Sequence, residues 1–362
     1  MSVVLVFDDL AEERDSLVNG LNEELGGGAE IVSFAAANAP AEGESYDGYI
    51  ASWINRFLAG KEIGLVVCDK ELGRYPNLKG LSATPVSAVA LQKGVPFCQY
   101  SRQASLDSRE LEKFKRLRQW SSAEISLEGL GPAEWIPQVI SLFNGFECIR
   151  TAYAELGSKP GTPSAALAAI LGKPASESRI ALYGSGEQGY LKEIFTFYDP
   201  NNPDISVLLK RMPRILGNWL FLSILRFPGI LVNKIAAASY LNIQPSAFDR
   251  NEIQNHFQSA KYTGPFSDSE LGPWWWRAEL DSLIGEEGCK DGREYVVKKG
   301  GAVEACLDPQ SGEQAGYYCM LTQQPVSASN SRGGISWFPS GADLARIRKD
   351  KFEQITALVG MY

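Results

Sequence analysis

The feature that most constrains the fold is the apolar run Ile63-Gly-Leu-Val-Val-Cys-Asp69, which ends in one carboxylate. A short, valine-rich run of this kind is typical of a strand buried on both faces of a parallel sheet. Asp69 would then lie at the carboxyl edge of the sheet, where open α/β folds bind their ligands. Considered alone, an Asp that starts a turn is the simpler interpretation. Whether Asp69 binds a ligand or only starts a turn therefore depends on which residues lie near it in the fold.

The first half of the chain alternates between apolar runs and helical periodicity. Strands are predicted at Val3–Phe7, Ala29–Phe34, Ile63–Asp69, Val95–Tyr100 and Ala123–Leu127. Helices are predicted at Leu10–Leu25, Tyr46–Ala59, Pro85–Lys93, Ser108–Trp120 and from Trp135 to Phe143. Such alternation predicts an α/β domain with a flavodoxin-like, doubly wound, five-stranded parallel sheet. Right-handed crossovers would bring the carboxyl ends of strands one, three and four to one edge.

Four polar residues follow those three strand ends, namely Asp8, Asp9, Asp69 and Ser101. Three carboxylates that approach each other repel unless a cation binds, and Mg²⁺ favours oxygen ligands while keeping waters that a phosphate oxygen can replace. With an ion in place, Asp69 could act as a nucleophile toward a phosphoryl donor. The Ser101 hydroxyl could hydrogen-bond the added phosphate. For each residue alone, a polar group at a loop edge or a helix cap is the competing interpretation.

Residues 1 to about 145 resemble the receiver domain of two-component response regulators through the pair Asp8-Asp9, Asp69 and Ser101. The resemblance implies that Asp8, Asp9 and Asp69 hold Mg²⁺, with the backbone carbonyl of Glu71 as a further protein ligand. It also implies that Asp69 accepts phosphate from the phosphohistidine of a histidine kinase. Ser101 takes the place of the switch hydroxyl.

The chain departs from that family in two respects. The segment Ala123–Glu128, where the fifth strand is predicted, contains no lysine to contact the phosphoryl group. Arg102 follows Ser101 directly and could supply the positive charge instead. The gap before strand three is also longer than usual and is filled by the helix predicted at 46–59. These departures indicate a divergent receiver and argue against ordinary switching.

Length and composition set the broad class. A chain of 362 residues favours two domains, and a net charge of −8 argues against a protein built mainly to bind nucleic acid. The first nine residues lack the features of a signal peptide. The longest uncharged stretch of the most apolar region, Ile215–Leu225, is too short to cross a membrane. Six cysteines without a Cys-x-x-Cys pair favour a reduced, cytoplasmic protein.

The predicted organisation is a receiver-like domain at 1–145, a connector at 146–178 and a mainly helical α+β domain at 179–362. In the last of these, a strand is predicted at Arg179–Tyr183, before the Gly-x-Gly-x-x-Gly pattern at Gly184–Gly189. No strand ending in an acidic residue follows at the distance that dinucleotide binding needs, so a glycine-rich turn is favoured. Core helices are predicted at Asp204–Leu241, broken near Pro228-Gly229.

The end of the chain is predicted to form a small antiparallel sheet at Tyr295–Met320 and a basic-faced helix at Ala342–Leu358. Between these regions lies the aromatic cluster Trp274-Trp275-Trp276-Arg277. A core anchor is the favoured interpretation, and an exposed docking surface is the alternative, because tryptophan and arginine are enriched at binding hot spots. His256 is the only histidine, which excludes zinc chemistry based on several histidines.

Together these patterns predict a response-regulator-like phosphoacceptor with Mg²⁺ as cofactor and a histidine kinase as partner. Divergent receivers joined to uncharacterised domains resemble components of bacterial two-component-like anti-phage systems such as Detocs, in which a regulator can act as a phosphate sink. Two alternatives stay open: an effector enzyme of unfamiliar chemistry in the C-terminal half, and a pseudo-receiver that serves only as a scaffold. The chain has no serine nucleophile elbow and no P-loop, so an enzyme is not favoured.

Overall fold

The computed structural model describes residues 1–35, 40–57, 60–101, 125–127, 129, 131–157, 162–184 and 205–359. Arg102, the helix predicted at Ser108–Trp120 and residues 185–189 of the glycine-rich pattern lie outside this described part. The described residues fall into two compact units. The first unit holds those of 1–157 and 205–218, and the second holds those of 162–184 and 219–359.

The described residues before 157 form five strands and four helices of the first unit. The strands are β1 (Ser2–Phe7), β2 (Ala29–Ser33), β3 (Ile63–Asp69), β4 (Phe97–Tyr100) and β5 (Ile125–Ser126). The helices are α1 (Ala11–Leu25), α2 (Tyr46–Phe57), α3 (Ala83–Lys93) and α4 (Pro132–Glu155). Helix α4 continues through residue 145, where the sequence predicts a domain boundary.

The strands form one parallel sheet in the order β2-β1-β3-β4-β5, which confirms the predicted five-stranded parallel sheet. Phe7 pairs with Cys68, and Asp69 pairs with Tyr100, so β1, β3 and β4 end side by side. All six residues of β1 are buried, as expected for a strand covered on both faces.

Helices cover both faces of this sheet. On one face, Phe7 packs in a cluster with Trp53 of α2 and Val86 of α3. On the other face, α4 lies against β3 so closely that a Cβ on Gly64 would come 2.7 Å from the Phe143 ring. Glycine at position 64 therefore permits the close approach of helix and strand. The two covered faces confirm the doubly wound arrangement.

The second unit begins with α5 (Pro163–Ile170) and α6 (Glu177–Ala181). Its later elements are β6 (Leu231–Asn233), α8 (Lys234–Tyr240), α9 (Pro245–Phe248), α10 (Asn251–Asn255), β7 (Trp274–Trp276), α11 (Arg277–Glu286), α12 (Gly292–Lys298), β8 (Tyr317–Cys319), β9 (Gln324–Val326), β10 (Ser331–Arg332), β11 (Ala345–Arg348) and α13 (Lys349–Val359). The chain enters the second unit again at Trp219, which is the last residue of helix α7 (Ile205–Trp219). A π-helical turn, Leu220–Ile224, follows this helix directly. No described helix combines the length and the apolarity needed to cross a membrane.

The strand predicted at Arg179–Tyr183 is wrong, because this segment is helical. Helix α6 covers Glu177–Ala181, and a 3₁₀ turn, Leu182–Gly184, follows. The buried residues are Ile180 and Tyr183, whose three-residue spacing matches one face of a helix and not the alternation of a strand. In the apolar region further on, the chain breaks as predicted near Pro228-Gly229 but forms the short strand β6 before α8.

The predictions for the end of the chain also need correction. Tyr295 lies in α12, whose first turn is capped by the Asp291 carboxylate accepting the Glu294 N–H at 2.8 Å. The sheet has the order β10-β11-β8-β9, and it is mixed because β11 runs parallel to β8. The helix predicted from Ala342 starts only at Lys349, because β11 occupies Ala345–Arg348.

The docking alternative for the tryptophan cluster is contradicted by burial. Trp274, Trp275 and Trp276 are at most 7% exposed, and they form β7, which pairs with β6. The Trp274 indole N–H donates to the Leu225 carbonyl at 2.8 Å. Arg277 bonds to both carboxylate oxygens of Asp343 at 2.7 Å. The cluster is therefore a core anchor of the second unit.

Candidate metal centre

Three carboxylates converge at the carboxyl edge of the parallel sheet. Asp8 and Asp9 directly follow β1, and Asp69 is the last residue of the adjacent strand β3. One carboxylate oxygen from each residue lies within 4.8 Å of the others. Asp8 is fully buried and Asp69 is 2% exposed, whereas Asp9 is half-buried. The predicted convergence of these three residues is therefore confirmed.

Asp8 is held by donors from three separate segments of the first unit. Its Oδ1 accepts the Leu10 N–H at 2.8 Å, which turns the chain into α1. Its Oδ2 accepts the hydroxyl of Tyr100, the last residue of β4, at 2.5 Å. The Tyr75 hydroxyl donates to the backbone carbonyl of Asp8 at 2.8 Å. These contacts fix the carboxylate in one orientation, as donors around metal ligands commonly do.

The two tyrosines are suited to act only as donors. Burial raises the pKa of Tyr100, and the negative charge of Asp8 raises it further. Burial also raises the pKa of Tyr75, with a smaller contribution from Asp8. Because both phenols stay protonated at neutral pH, they neutralise no charge but keep the Asp8 carboxylate and backbone in place.

The loop after β3 closes over the other two carboxylates. The Arg74 backbone N–H donates to Asp9 Oδ2 at 2.6 Å, and the Glu71 N–H donates to Asp69 Oδ1 at 3.3 Å. Glu71 also forms an isolated bridge with Ser82, which reverses the chain toward α3. Glu71 therefore lies at the start of this loop, close to Asp69, which is the predicted phosphoacceptor.

The three oxygens have the chemistry and the spacing to hold a metal ion. Two buried carboxylates and a third beside them repel strongly in a region of low dielectric, and a cation removes that penalty. Oxygens on opposite sides of a Mg²⁺ ion are about 4.2 Å apart, and around Ca²⁺ they reach about 5 Å. A spread of up to 4.8 Å therefore needs only a small contraction to suit Mg²⁺.

Ser101 lies at the same edge, one residue beyond β4. Its neighbour Tyr100 pairs with Asp69, and the Tyr100 carbonyl accepts the Lys70 N–H at 2.9 Å. Ser101 is partly exposed, and its predicted contact with a phosphoryl group stays a prediction. Arg102 falls outside the described residues, so its predicted phosphate contact stays a prediction. The described part of the fifth-strand region, Ile125–Leu127, contains no lysine.

Sequence reasoning missed both tyrosines. Tyr100 stacks on Trp135 of α4 with ring centroids 4.0 Å apart, and the Trp135 indole N–H donates to the Gly129 carbonyl at 3.1 Å. The signal for Tyr100 was its place directly before Ser101 at a strand end that the sequence already marked. Tyr75 gave no comparable signal, because it lies in a loop whose path the sequence does not define.

Comparisons with protein-family models, with curated proteins and with solved structures found no match to this chain. The function is therefore inferred from the residues of the site itself. The site lies at the carboxyl edge of the parallel sheet. Its members are the three carboxylates, the two tyrosines that hold Asp8, and one serine: Asp8, Asp9, Asp69, Tyr75, Tyr100 and Ser101.

Proposed function

We propose that the first unit is a response-regulator-like phosphoacceptor, which receives a phosphoryl group on Asp69 from a partner histidine kinase with Mg²⁺ as cofactor. The observation that carries this proposal is the approach of Asp8, Asp9 and Asp69 within 4.8 Å. The strand order β2-β1-β3-β4-β5 supports it, because this order places the ends of β1 and β3 side by side. A cytoplasmic location suits this partnership.

The reaction transfers one phosphoryl group. A carboxylate oxygen of Asp69 attacks the phosphorus of phosphohistidine, a P–O bond forms and the P–N bond breaks. The imidazole leaves and is protonated, which restores the histidine of the kinase. Bound Mg²⁺ supplies positive charge to the oxygens of the transferring group.

The other residues hold the reacting carboxylate in place. Asp8 and Asp9 would ligate the ion together with Asp69, and the Glu71 carbonyl would be a further ligand. Tyr100 and Leu10 orient Asp8 through the hydrogen bonds at 2.5 and 2.8 Å. The site therefore needs little reorganisation, which is how enzymes and phosphoacceptors lower the barrier to transfer.

Ser101 would hydrogen-bond the phosphorylated Asp69. The fifth-strand region lacks a lysine, so a second contact would have to come from elsewhere, and Arg102, which follows Ser101 directly, is the candidate. This departure favours a phosphate-buffering role over ordinary switching, consistent with a place in a two-component-like anti-phage system.

A titration with Mg²⁺ and beryllofluoride, a phosphoryl mimic, tests the proposal. Trp135 stacks on Tyr100 beside the site, so its fluorescence should report binding. We expect saturation of wild type in the presence of Mg²⁺ and no response of the Asp69→Ala variant. Identical responses of the two proteins would contradict the acceptor role and favour the pseudo-receiver scaffold.

A further inference from the structure

A cavity of about 710 Å³ lies in the second unit, against the loop that joins β10 to β11. This volume is within the range typical of small-molecule sites. The loop covers residues 333–344 and contains no helix or strand. Connections of about 12 residues or more without secondary structure are uncommon, and they often have a function. Every residue that lines the cavity belongs to this loop or to the first two positions of β11.

The loop is fixed to the rest of the second unit near its middle. The Ser340 hydroxyl and the Gly341 N–H both donate to the Leu182 carbonyl, at 3.1 and 3.3 Å. The Phe338 ring packs edge-on against Phe227, with ring centroids 5.2 Å apart. These contacts hold the wall of the cavity in place, as in ligand sites that are formed before the ligand arrives.

The cavity has two charged lining residues, and only one of them is compensated. Asp343 accepts hydrogen bonds from Arg277 through both carboxylate oxygens, each at 2.7 Å. Arg346, the second residue of β11, makes no ion pair within the described part of the chain. The lining therefore carries one positive charge that no described carboxylate offsets.

The guanidinium of Arg346 is accessible and held in position. The side chain is partly exposed, whereas Arg348, two residues further on, is 1% exposed and lies beside Asp308. Its cation lies 3.8 Å above the centre of the Tyr317 ring, and a Cβ on Gly333 would come 3.2 Å from its Cζ. Neither contact uses the N–H donors of Arg346, and its Nε has no hydrogen-bond partner among the described residues.

The rest of the lining is mainly apolar. The exposed Ser336 adds one hydroxyl, and the apolar members are Ile335, Phe338, Pro339, Ala342 and Ala345. A guanidinium presents a planar fork of N–H donors that matches the two oxygens of a carboxylate. One uncompensated charge suits a monoanion better than a phosphate ester, which carries nearly two charges at neutral pH.

We propose that this cavity binds a small organic monocarboxylate with an apolar body, with the carboxylate on Arg346 and the body against the apolar wall. The inference goes beyond the phosphoacceptor role, and it is independent of phosphorylation at Asp69 because the whole cavity belongs to the second unit. It gives that unit a ligand site of its own.

A fluorine NMR titration of the full chain with para-fluorobenzoate tests this site. We expect saturable binding to wild type, and binding at least about tenfold weaker in Arg346→Gln, because a charge-assisted hydrogen bond is lost. Arg346→Lys keeps the charge but loses the planar fork, so its affinity should lie between the two. The neutral analogue para-fluorobenzamide should bind wild type at least about tenfold more weakly than the carboxylate does.

The matched control is Arg332→Gln, which removes an exposed arginine of β10 whose cation also lies over an aromatic ring, that of Phe352, at 5.2 Å. This variant should bind para-fluorobenzoate as wild type does. If Arg346→Gln does not fold, the comparison of the carboxylate with the amide on wild type decides the question. Four results would overturn the inference: no saturation at millimolar ligand, equal weakening by Arg332→Gln, equal affinity for the amide, or tighter binding of inorganic phosphate.

Discussion

The described residues include a buried carboxylate network in each unit, and the two networks differ in the groups that surround the negative charge. In the second unit, Asp308 is 1% exposed and lies 3.5 Å from the guanidinium of Arg348, which is equally buried. Asp308 also accepts the Ser327 N–H at 3.0 Å and the Gln310 N–H at 2.9 Å. In the first unit, the donors described above for the carboxylates of Asp8, Asp9 and Asp69 are backbone N–H groups and the Tyr100 hydroxyl.

The pKa of Asp308 shows the consequence of internal compensation. Burial alone would raise this pKa, but the N–H donors of Ser327 and Gln310, together with Asn330 and the charge of Arg348, lower it overall. The carboxylate therefore stays ionised without help from outside the chain. The three carboxylates of the first unit have oxygens within 4.8 Å of one another, and a bound metal ion would offset their mutual repulsion. The Asp308 network contains its own cation, whereas the cluster of Asp8, Asp9 and Asp69 has the arrangement of a group that could hold a metal ion.

The largest expected effect comes from removing the acid of the Asp308 network. Asp308→Ala would leave Arg348 buried without its carboxylate, so the free energy of unfolding should fall by about 3–5 kcal/mol. Urea unfolding measures this change. The control Asp249→Ala breaks an exposed pair with Lys234 and should cost about 1 kcal/mol or less. Equal losses in both variants would remove the contrast between the networks.

The carboxylate cluster should respond to metal in a way that the Asp308 network does not. At a Mg²⁺ concentration a hundred times its dissociation constant, wild type should gain about 2.7 kcal/mol in the free energy of unfolding. Asp69→Asn should be at least as stable as wild type in EDTA, because it removes a like charge, and should lose most of this gain. Glu24→Gln, on the exposed surface of α1, should keep it. A destabilised Asp69→Asn in EDTA would show that the cluster is already compensated.

Tyr100 should affect metal binding more than stability. Tyr100→Phe removes the hydroxyl that orients Asp8, and loss of such a contact typically weakens metal binding by about tenfold or more. Mg²⁺ titration followed by fluorescence measures the affinity. Tyr240→Phe, which loses a comparable bond to Asp281 in the second unit, is the matched control. An unchanged Mg²⁺ affinity in Tyr100→Phe would mean that Asp8 needs no orienting donor.

The smallest expected effect is the acid dependence of the Asp308 network. Because folding lowers the pKa of Asp308, its stabilising contribution is complete above the ordinary carboxyl pKa of about 3.9 and is lost as the pH falls through the lowered value. The difference in unfolding free energy between wild type and Asp308→Asn should therefore shrink between about pH 5 and about pH 2. A constant difference across this range would contradict the role given to Arg348.

The sequence predicts the carboxylate cluster well because its residues lie at the ends of parallel strands that are adjacent in the sheet. Once Val3–Phe7 and Ile63–Asp69 are recognised as buried strands, the topology alone brings Asp8 and Asp69 to one edge. Tyr75 could not be found in this way, since its position depends on how a loop packs under Asp8.

The second unit was harder to predict because its elements are short. Arg179–Tyr183 contains few residues, so helical and strand periodicity are hard to distinguish. At the end of the chain, β11 is stabilised by pairing with β8, across a separation that local sequence patterns do not record.

The most direct test of the central claim is the intact mass of the protein after incubation with Mg²⁺ and a small phosphoramidate donor. We predict that wild type gains the mass of one phosphoryl group and that Asp69→Asn gains none. EDTA should prevent the gain in wild type. Failure of wild type to gain this mass, or an equal gain by Asp69→Asn, would contradict the assignment of Asp69 as the phosphoacceptor.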